Sequence, residues 1–117
     1  MAISKRKRAK VWSMFGGRCA YCGCTILYED MEVDHIVSKS FHEQNELDNM
    51  DRIENLYPSC HLCNTAKGDD SLEQFKRNLK QVRMKLERNL YYRLALKYKV
   101  LKASKFNGVF FFEKMKR

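Results

Sequence analysis

The chain has a single proline, Pro58, and no Pro- or Ser-rich stretch, so no part of it reads as an extended linker or a low-complexity tail. It contains no internal repeat beyond two similar cysteine pairs. No apolar run approaches the roughly 20 residues that a bilayer-spanning helix requires. The basic N-terminus, Lys5-Arg6-Lys7-Arg8, is not followed by the apolar stretch of a secretory signal. These absences exclude a membrane partner and lead to the expectation of a soluble, cytoplasmic protein in which residues 1–117 form one domain. An apolar content of 44% with 12% aromatics is that of a folded chain. At this length the core is modest, and a metal staple would help to hold it.

Acidic residues are missing altogether from residues 1–18, which carry 6 Lys/Arg. Residues 19–70 reverse the balance, with 11 acids against 3 basic residues, and residues 71–117 restore it with 14 basic against 3 acidic. The whole chain is +9, but it is built as an acidic middle between two basic flanks. An acidic middle suits a divalent-cation site. Basic flanks suit a polyanion such as DNA, because each neutralised phosphate releases condensed counterions. A merely solvated lysine-rich surface is the plainer alternative, and the segregation of charge favours nucleic acid over it.

Local patterns divide the chain in the same places. Ser4 to about Phe15 reads as a short basic helix, capped by Ser4 and stopped by Gly16-Gly17. Cys19 to Cys24 forms a tight knuckle. Thr25–Tyr28 and Met31–Val37 read as short strands, with Met31, Val33 and His35 on one face and Glu32, Asp34 and Ile36 on the other. Residues 38–54 read as a long polar loop, of the kind that is usually functional or metal-clamped, and His42 within it as solvated. Asn55-Leu56-Tyr57 is a further short strand, and Cys60–Lys67 a helix ended by Gly68. From Ser71, which with Gln74 makes a capping box, the apolar residues Leu72, Phe75, Leu79, Val82, Leu86, Leu90 and Leu94 recur at helical spacing. That pattern predicts a long amphipathic helix with a break near Asn89, serving as core or as the seam of a homodimer. The tail around Asn107-Gly108 suggests a hairpin or terminal strand whose phenylalanines dock on something apolar.

The five cysteines fall as Cys19-x-x-Cys22, Cys60-x-x-Cys63 and an extra Cys24. Zinc takes four thiolates tetrahedrally, and each CxxC brings two sulfurs to one ion from one turn. Two such pairs therefore predict a closed structural zinc site on Cys19, Cys22, Cys60 and Cys63, tying the knuckle to the helix after Cys60. A redox dithiol or an iron–sulfur cluster would use the same thiols. Neither accounts for the Asp, His and Asn residues held between and beside the pairs.

Those residues suit phosphodiester hydrolysis, which needs a positioned water, a base for its proton and a cation for the charge that develops on phosphate and leaving oxygen. An imidazole, here that of His35, suits the base. Asp34 can be an anionic ligand of Mg²⁺, which needs only one or two protein contacts, and Asn64 offers a neutral oxygen from the start of the helix. Taken singly each has an ordinary structural reading: Asp-His as a surface pair, Asn64 as a turn residue, and Lys67 as a helix-end lysine favoured by the dipole. Lys67 could equally reach a substrate phosphate, as could Arg18, Lys7 and Arg8 of the basic flank. His61 could replace Asn64 as a ligand, though less readily.

Gly17-Arg18-Cys19-Ala20-Tyr21-Cys22, Val33-Asp34-His35-Ile36, Asn55-Leu56 and Cys60-His61-Leu62-Cys63-Asn64-Thr65-Ala66-Lys67-Gly68 together resemble the HNH endonuclease family over residues 16–68. The resemblance implies an α+β fold: a small ββα-metal (His-Me finger) core at 19–70 stapled by the four-cysteine zinc site, with the basic helix 1–18 and the amphipathic segment 71–117 as flanks. It implies His35 as general base, Asp34 as a metal ligand, and Asn55 as the middle asparagine that holds the loop and orients the His35 backbone. Asn64 stands where many members carry a second histidine, making an H-N-N variant. An amide oxygen is harder than imidazole, which favours Mg²⁺ or Mn²⁺ as the catalytic ion. The expected activity is DNA cleavage by a monomer or homodimer, with a phage or mobile-element setting as an associated expectation. A non-cleaving, zinc-stabilised nucleic-acid-binding protein is the alternative.

Overall fold

The computed structural model describes residues 3–47 and 49–115. Helix α1 (Lys5–Ser13) begins at Ser4, whose hydroxyl accepts from the Lys7 N–H at 3.2 Å. It buries Val11 and lays Trp12 over the following turn, where the indole N–H donates to the Ile26 carbonyl at 2.9 Å. Gly17, with φ +78°, passes directly beneath that indole. A Cβ there would sit 2.9 Å from the ring, so the position needs glycine on both counts.

Strands β1 (Glu32–His35) and β2 (Leu56–Ser59) pair antiparallel, with Asp34 opposite Tyr57 and His35 opposite Leu56. Helix α3 (His61–Lys67) follows β2 at once, with the Cys60 sulfur accepting from the Cys63 N–H at its first turn. These three elements form a ββα unit, and among the described residues the fold is a mixture of helices with one two-stranded sheet. Strand alternation puts Glu32 and Asp34 on the face that meets α3. His35 points away from it, toward the connection between the strands.

The core gathers Val11, Tyr21, Met31, Leu56, Phe75 and Phe110. Phe75 stacks on Phe110 at 5.3 Å between centroids, and Tyr21 meets both edge-on. Full burial of each phenylalanine contributes roughly 1.5–3 kcal/mol. Phe75 comes from α4 (Leu72–Lys80), begun by the Ser71 hydroxyl on the Gln74 N–H. Phe110 comes from the tail, where the N–H groups of Phe111 and Phe112 donate to the Tyr21 and Ala20 carbonyls at 2.9 and 2.8 Å. The tail is thus laced to the cysteine knuckle.

Several expectations about local structure are corrected. The stretch 38–54 is not a bare loop: it contains α2 (Lys39–Gln44), capped by the Ser38 hydroxyl on the Phe41 N–H, and a 3₁₀ turn at Ile53–Asn55. His42 is accordingly buried, its Nδ1 hydrogen-bonded to the Ser38 carbonyl at 2.9 Å. Thr25–Tyr28 forms no strand; Thr25 makes a single bridge with Arg18, and Tyr28–Asp30 is a 3₁₀ turn. The amphipathic segment is three helices, α4, α5 (Val82–Leu86) and α6 (Leu90–Lys97): the break expected near Asn89 is present, and a second one falls at Gln81. The apolar period runs through both breaks; at the expected one Asn89 turns its side chain back to accept from the Tyr92 N–H at 3.0 Å and starts a new helix there. Among its described residues the tail makes neither hairpin nor strand but carries α7 (Phe111–Lys114), although its phenylalanines do pack on the core. Among the described residues no helix is long and apolar enough to cross a membrane.

Candidate active site

Cys19, Cys22, Cys60 and Cys63 converge, with their sulfurs all within 4.8 Å of one another and Cys22 to Cys60 at 3.9 Å. Tetrahedral Zn–S bonds of about 2.3 Å require sulfurs about 3.8 Å apart, so the cluster is positioned for a zinc site. Backbone N–H groups of Tyr21 and Cys63 already point at the Cys19 and Cys60 sulfurs. The hydrogen bond from Cys63 brings the Cys19 thiol well below its ordinary value. Cys24 remains outside the cluster and exposed, its thiol pushed up to about 12 by desolvation.

Tyr21 lies between the two ligands of the first knuckle, and its hydroxyl donates to Asp34 Oδ2 at 2.5 Å. Knuckle and strand carboxylate are therefore directly joined. Asp34 is 4% exposed and Lys67 1% exposed. The Lys67 ammonium sits 3.2 Å from Asp34 Oδ2 and donates to the His35 carbonyl at 3.1 Å. Burial pushes the Asp34 carboxyl above its ordinary value, outweighing the opposite pull of Tyr21 and Lys67.

Asn64, on α3, donates its amide N–H to Glu32 Oε1 at 2.7 Å, while Glu32 Oε2 meets His61 Nδ1 at 2.6 Å. Those two hydrogen bonds hold the Glu32 carboxyl below its usual range. With its nitrogen committed to Glu32, Asn64 presents the carbonyl oxygen as its free donor atom. His61 is engaged by Glu32 and largely exposed.

His35 projects from the other face. Its Nε2 lies 2.7 Å from Asp51 Oδ1, and this hydrogen bond holds the Asp51 carboxyl below its ordinary value. An ionised carboxylate only accepts, so the proton resides on Nε2 and Nδ1 is the basic nitrogen of the neutral ring. Lys7 donates to the Asp51 carbonyl at 2.7 Å, anchoring that segment to α1. Asn55 clamps both segments. Its Oδ1 accepts from the Val37 N–H at 2.8 Å, and its amide N–H groups donate to the Val37 and Met50 carbonyls. It thereby fixes the backbone just after His35 and just before Asp51.

Asp34, His35 and Asn64 line one open cavity of about 260 Å³, together with Ser38, Lys39 and Asp69. The structure thus brings together the three residues expected to carry chemistry. It does not bring the four expected phosphate contacts to that cavity. Lys67 is turned inward onto Asp34. Arg8 donates to the Tyr28 and Met31 carbonyls, both at 2.8 Å, and stacks on the Tyr28 ring. Lys7 holds the Asp51 segment. Arg18 is exposed, but donates to the Gly23 carbonyl at 2.9 Å and lies over Phe111. Lys39 is the basic residue that does line the cavity. Sequence reasoning missed Glu32, Asp51 and Tyr21. Alternation along β1 had put Glu32 beside Asp34, a usable signal; nothing local marked Asp51.

Residues 19–70 match the model of the HNH endonuclease family. A CRISPR-associated endonuclease Cas9 of Corynebacterium diphtheriae is 34% identical over 61 residues, covering 52% of this chain and 5% of that protein. The crystal structure of the type II-C Cas9 enzyme from Actinomyces naeslundii is similar with a TM-score of 0.51 and 28% identity, covering 66% of this chain and 8% of that one. The chain spans less than a tenth of the length of either relative.

Proposed function

We propose that this chain, whose residues 19–70 match the model of the HNH endonuclease family, is a metal-dependent DNA endonuclease. The observation that carries the reading is the convergence of Asp34, His35 and Asn64 on one cavity. A carboxylate oxygen from Asp34 and the amide oxygen of Asn64 form a hard donor pair that suits Mg²⁺ or Mn²⁺, while the four sulfurs suit a structural zinc. When bound, the hard cation supplies Lewis-acid stabilisation of the charge developing on the phosphate and the leaving 3′-oxygen.

The chain's own residues do the rest. His35 accepts the proton of the attacking water at Nδ1, and Asp51 holds the imidazole in the tautomer that makes Nδ1 the base and balances the imidazolium that forms. Glu32 fixes which atom of Asn64 faces the cavity. Asn55 holds the His35 and Asp51 segments in register, and Tyr21 transmits the rigidity of the cysteine knuckle to Asp34. Lys39 is placed to meet a substrate phosphate.

The test is nicking of supercoiled plasmid in the presence of Mg²⁺ or Mn²⁺. Cleavage leaving 5′-phosphate ends, lost in His35→Ala while zinc content and fold are retained, is the expected result. Unchanged cleavage in His35→Ala would refute the base. Tight, salt-sensitive DNA binding with no cleavage under either ion would favour the non-cleaving alternative.

A further inference from the structure

The segment after α4 is unlike the remainder of the surface. Nine exposed large apolar residues fall between Val82 and Leu101, among them Leu90, Tyr91 (79% exposed) and Tyr98 (72% exposed). On α6 and its C-cap, Leu90, Leu94, Tyr91 and Tyr98 share one broad face by helical spacing, and all are exposed. Residues 82–104 also hold seven Lys/Arg against the single acid Glu87. A cavity of about 940 Å³ lies between this arm and the tail, lined by Leu79, Leu86, Tyr92, Leu101 and Phe106 among others. Apolar surface on this scale marks an interaction site.

The complementary surface lies at the opposite end of α4. A groove of about 420 Å³ there is lined by Val37, Phe41, Leu72, Asp69, Asp70 and Glu73, with no basic residue in its wall. Val37 and Phe41 are exposed. Asp69 and Asp70 accept from Ser40 and Asn78, which are neutral, and no basic side chain pairs with either acid or with Glu73 among the described residues. The exposed face of α4 itself runs Glu73, Arg77, Lys80 from acidic to basic.

One helix thus separates an acidic, apolar groove from a basic, apolar arm. The nine residues of α4 span about 14 Å at about 1.5 Å per residue. Two copies related by a two-fold axis, with their α4 helices antiparallel, bring each arm to the other's groove. That is the self-complementary arrangement an isologous dimer requires. We propose that this chain pairs with a second copy of itself in this way. The occupant is a protein surface rather than phosphate, because the leucine, valine and methionine side chains of the arm gain nothing from a polyanion. The chain's net charge of +9 opposes association, so the pairing rests on these local complements. It also sets basic side chains of the second copy beside Asp69, on the rim of the cavity that holds Asp34 and His35.

Sedimentation equilibrium of the full zinc-loaded chain across the micromolar range tests the pairing without any reference to cleavage. The expected mass is twice 13.9 kDa. Arg93→Glu with Lys97→Glu in the arm, and separately Glu73→Lys in the groove wall, should each raise the dissociation constant about tenfold or more. Combining the arm and groove reversals should restore most of the loss. All three positions are exposed, and far-UV circular dichroism checks that the helices persist. A monomer throughout the range, a dimer indifferent to both reversals, or the absence of any restoration overturns the proposal. So does a monomer whose arm variants lose only DNA affinity, which would assign the arm to nucleic acid.

Discussion

Replacing Lys67 by methionine keeps the volume of a fully buried side chain and removes its charge. The ammonium lies 3.2 Å from Asp34, with side-chain exposures of 0% and 5%. At that separation an effective dielectric of about 20 makes the attraction roughly 5 kcal/mol. Breaking a buried pair from one side typically costs about 3–5 kcal/mol, because a buried charge is left without a partner. Loss of the hydrogen bond to the His35 carbonyl adds about 1 kcal/mol, partly offset by no longer burying an ammonium. The expected loss is therefore about 3 kcal/mol near neutral pH, against a total stability of roughly 5–15 kcal/mol for an ordinary domain. The loss has a pH signature. Asp34 is already raised above its ordinary 3.8 by burial, and without Lys67 it rises further. Between the ordinary value and the raised one, the folded state binds a proton that the unfolded state does not. Stability of the variant therefore recovers as pH falls through that window. Urea unfolding of zinc-loaded protein at a series of pH values from about 7.5 downward should show the deficit shrinking as the pH falls. Asp34→Asn in the Lys67→Met background removes the orphaned charge and should restore about 2 kcal/mol. A deficit below about 1 kcal/mol at the higher pH, or one that does not change with pH, would show that Lys67 is not the counter-ion of Asp34.

Two further outcomes follow from the site. Asp51→Asn should lower kcat about 10- to 100-fold with little change in KM for DNA, since Asp51 acts through His35 and not on substrate. The ¹⁵N shifts of the His35 ring should then lose their bias toward the Nε2–H tautomer, and Asp51→Glu should recover part of the rate. An unaltered tautomer balance would remove Asp51 from that role. Stripping the metal with a strong chelator, or Cys63→Ser, should cost cooperative unfolding and the near-ultraviolet signal of Tyr21, because the knuckle carries the tail and the Asp34 contact together. Persistence of a sharp thermal transition after zinc loss would show that the core stands without it.

What could be read from the chain depended on how far apart the interacting residues lie and on whether a residue type has one physical role or several. Four cysteines in CxxC pairs have nearly one use, so the cluster that closes in space was legible from spacing. The period of Leu72, Phe75 and Leu79 and the cap at Ser71 are local, and α4 is where they place it. Gln81 shows the limit of periodicity: the apolar repeat continues across it from Leu79 to Val82, while the helix breaks there between α4 and α5. Residues 38–54 look like loop by composition, yet one local hydroxyl suffices. Ser38 accepts from the Phe41 N–H, and α2 forms behind it. The 3₁₀ turn at Ile53–Asn55 has no side-chain cap of this kind, so no comparable signal announced it.

The basic residues were the least legible, and the reason is physical. A lysine or arginine has the same formal charge whether it faces a phosphate or a carbonyl of its own chain, and only the fold decides which. Lys7 finds its acceptor 44 residues away, Arg8 finds two at separations of 20 and 23, and Lys67 finds Asp34 at 33. None of those separations leaves a periodic trace. Three of the four expected phosphate contacts are therefore spent on holding the acidic middle of the chain together, where carbonyls and a buried carboxylate need donors. Exposed positive charge remains instead on Lys39 at the cavity, on Lys5, Arg6 and Lys10 of α1, and on the arm beyond α4. The consequence is a division within the chain's own charge. Beside the cavity Lys39 keeps its charge for a substrate, while the other cations available to a partner sit at a distance from it, so an accessory surface has to bring them to the site.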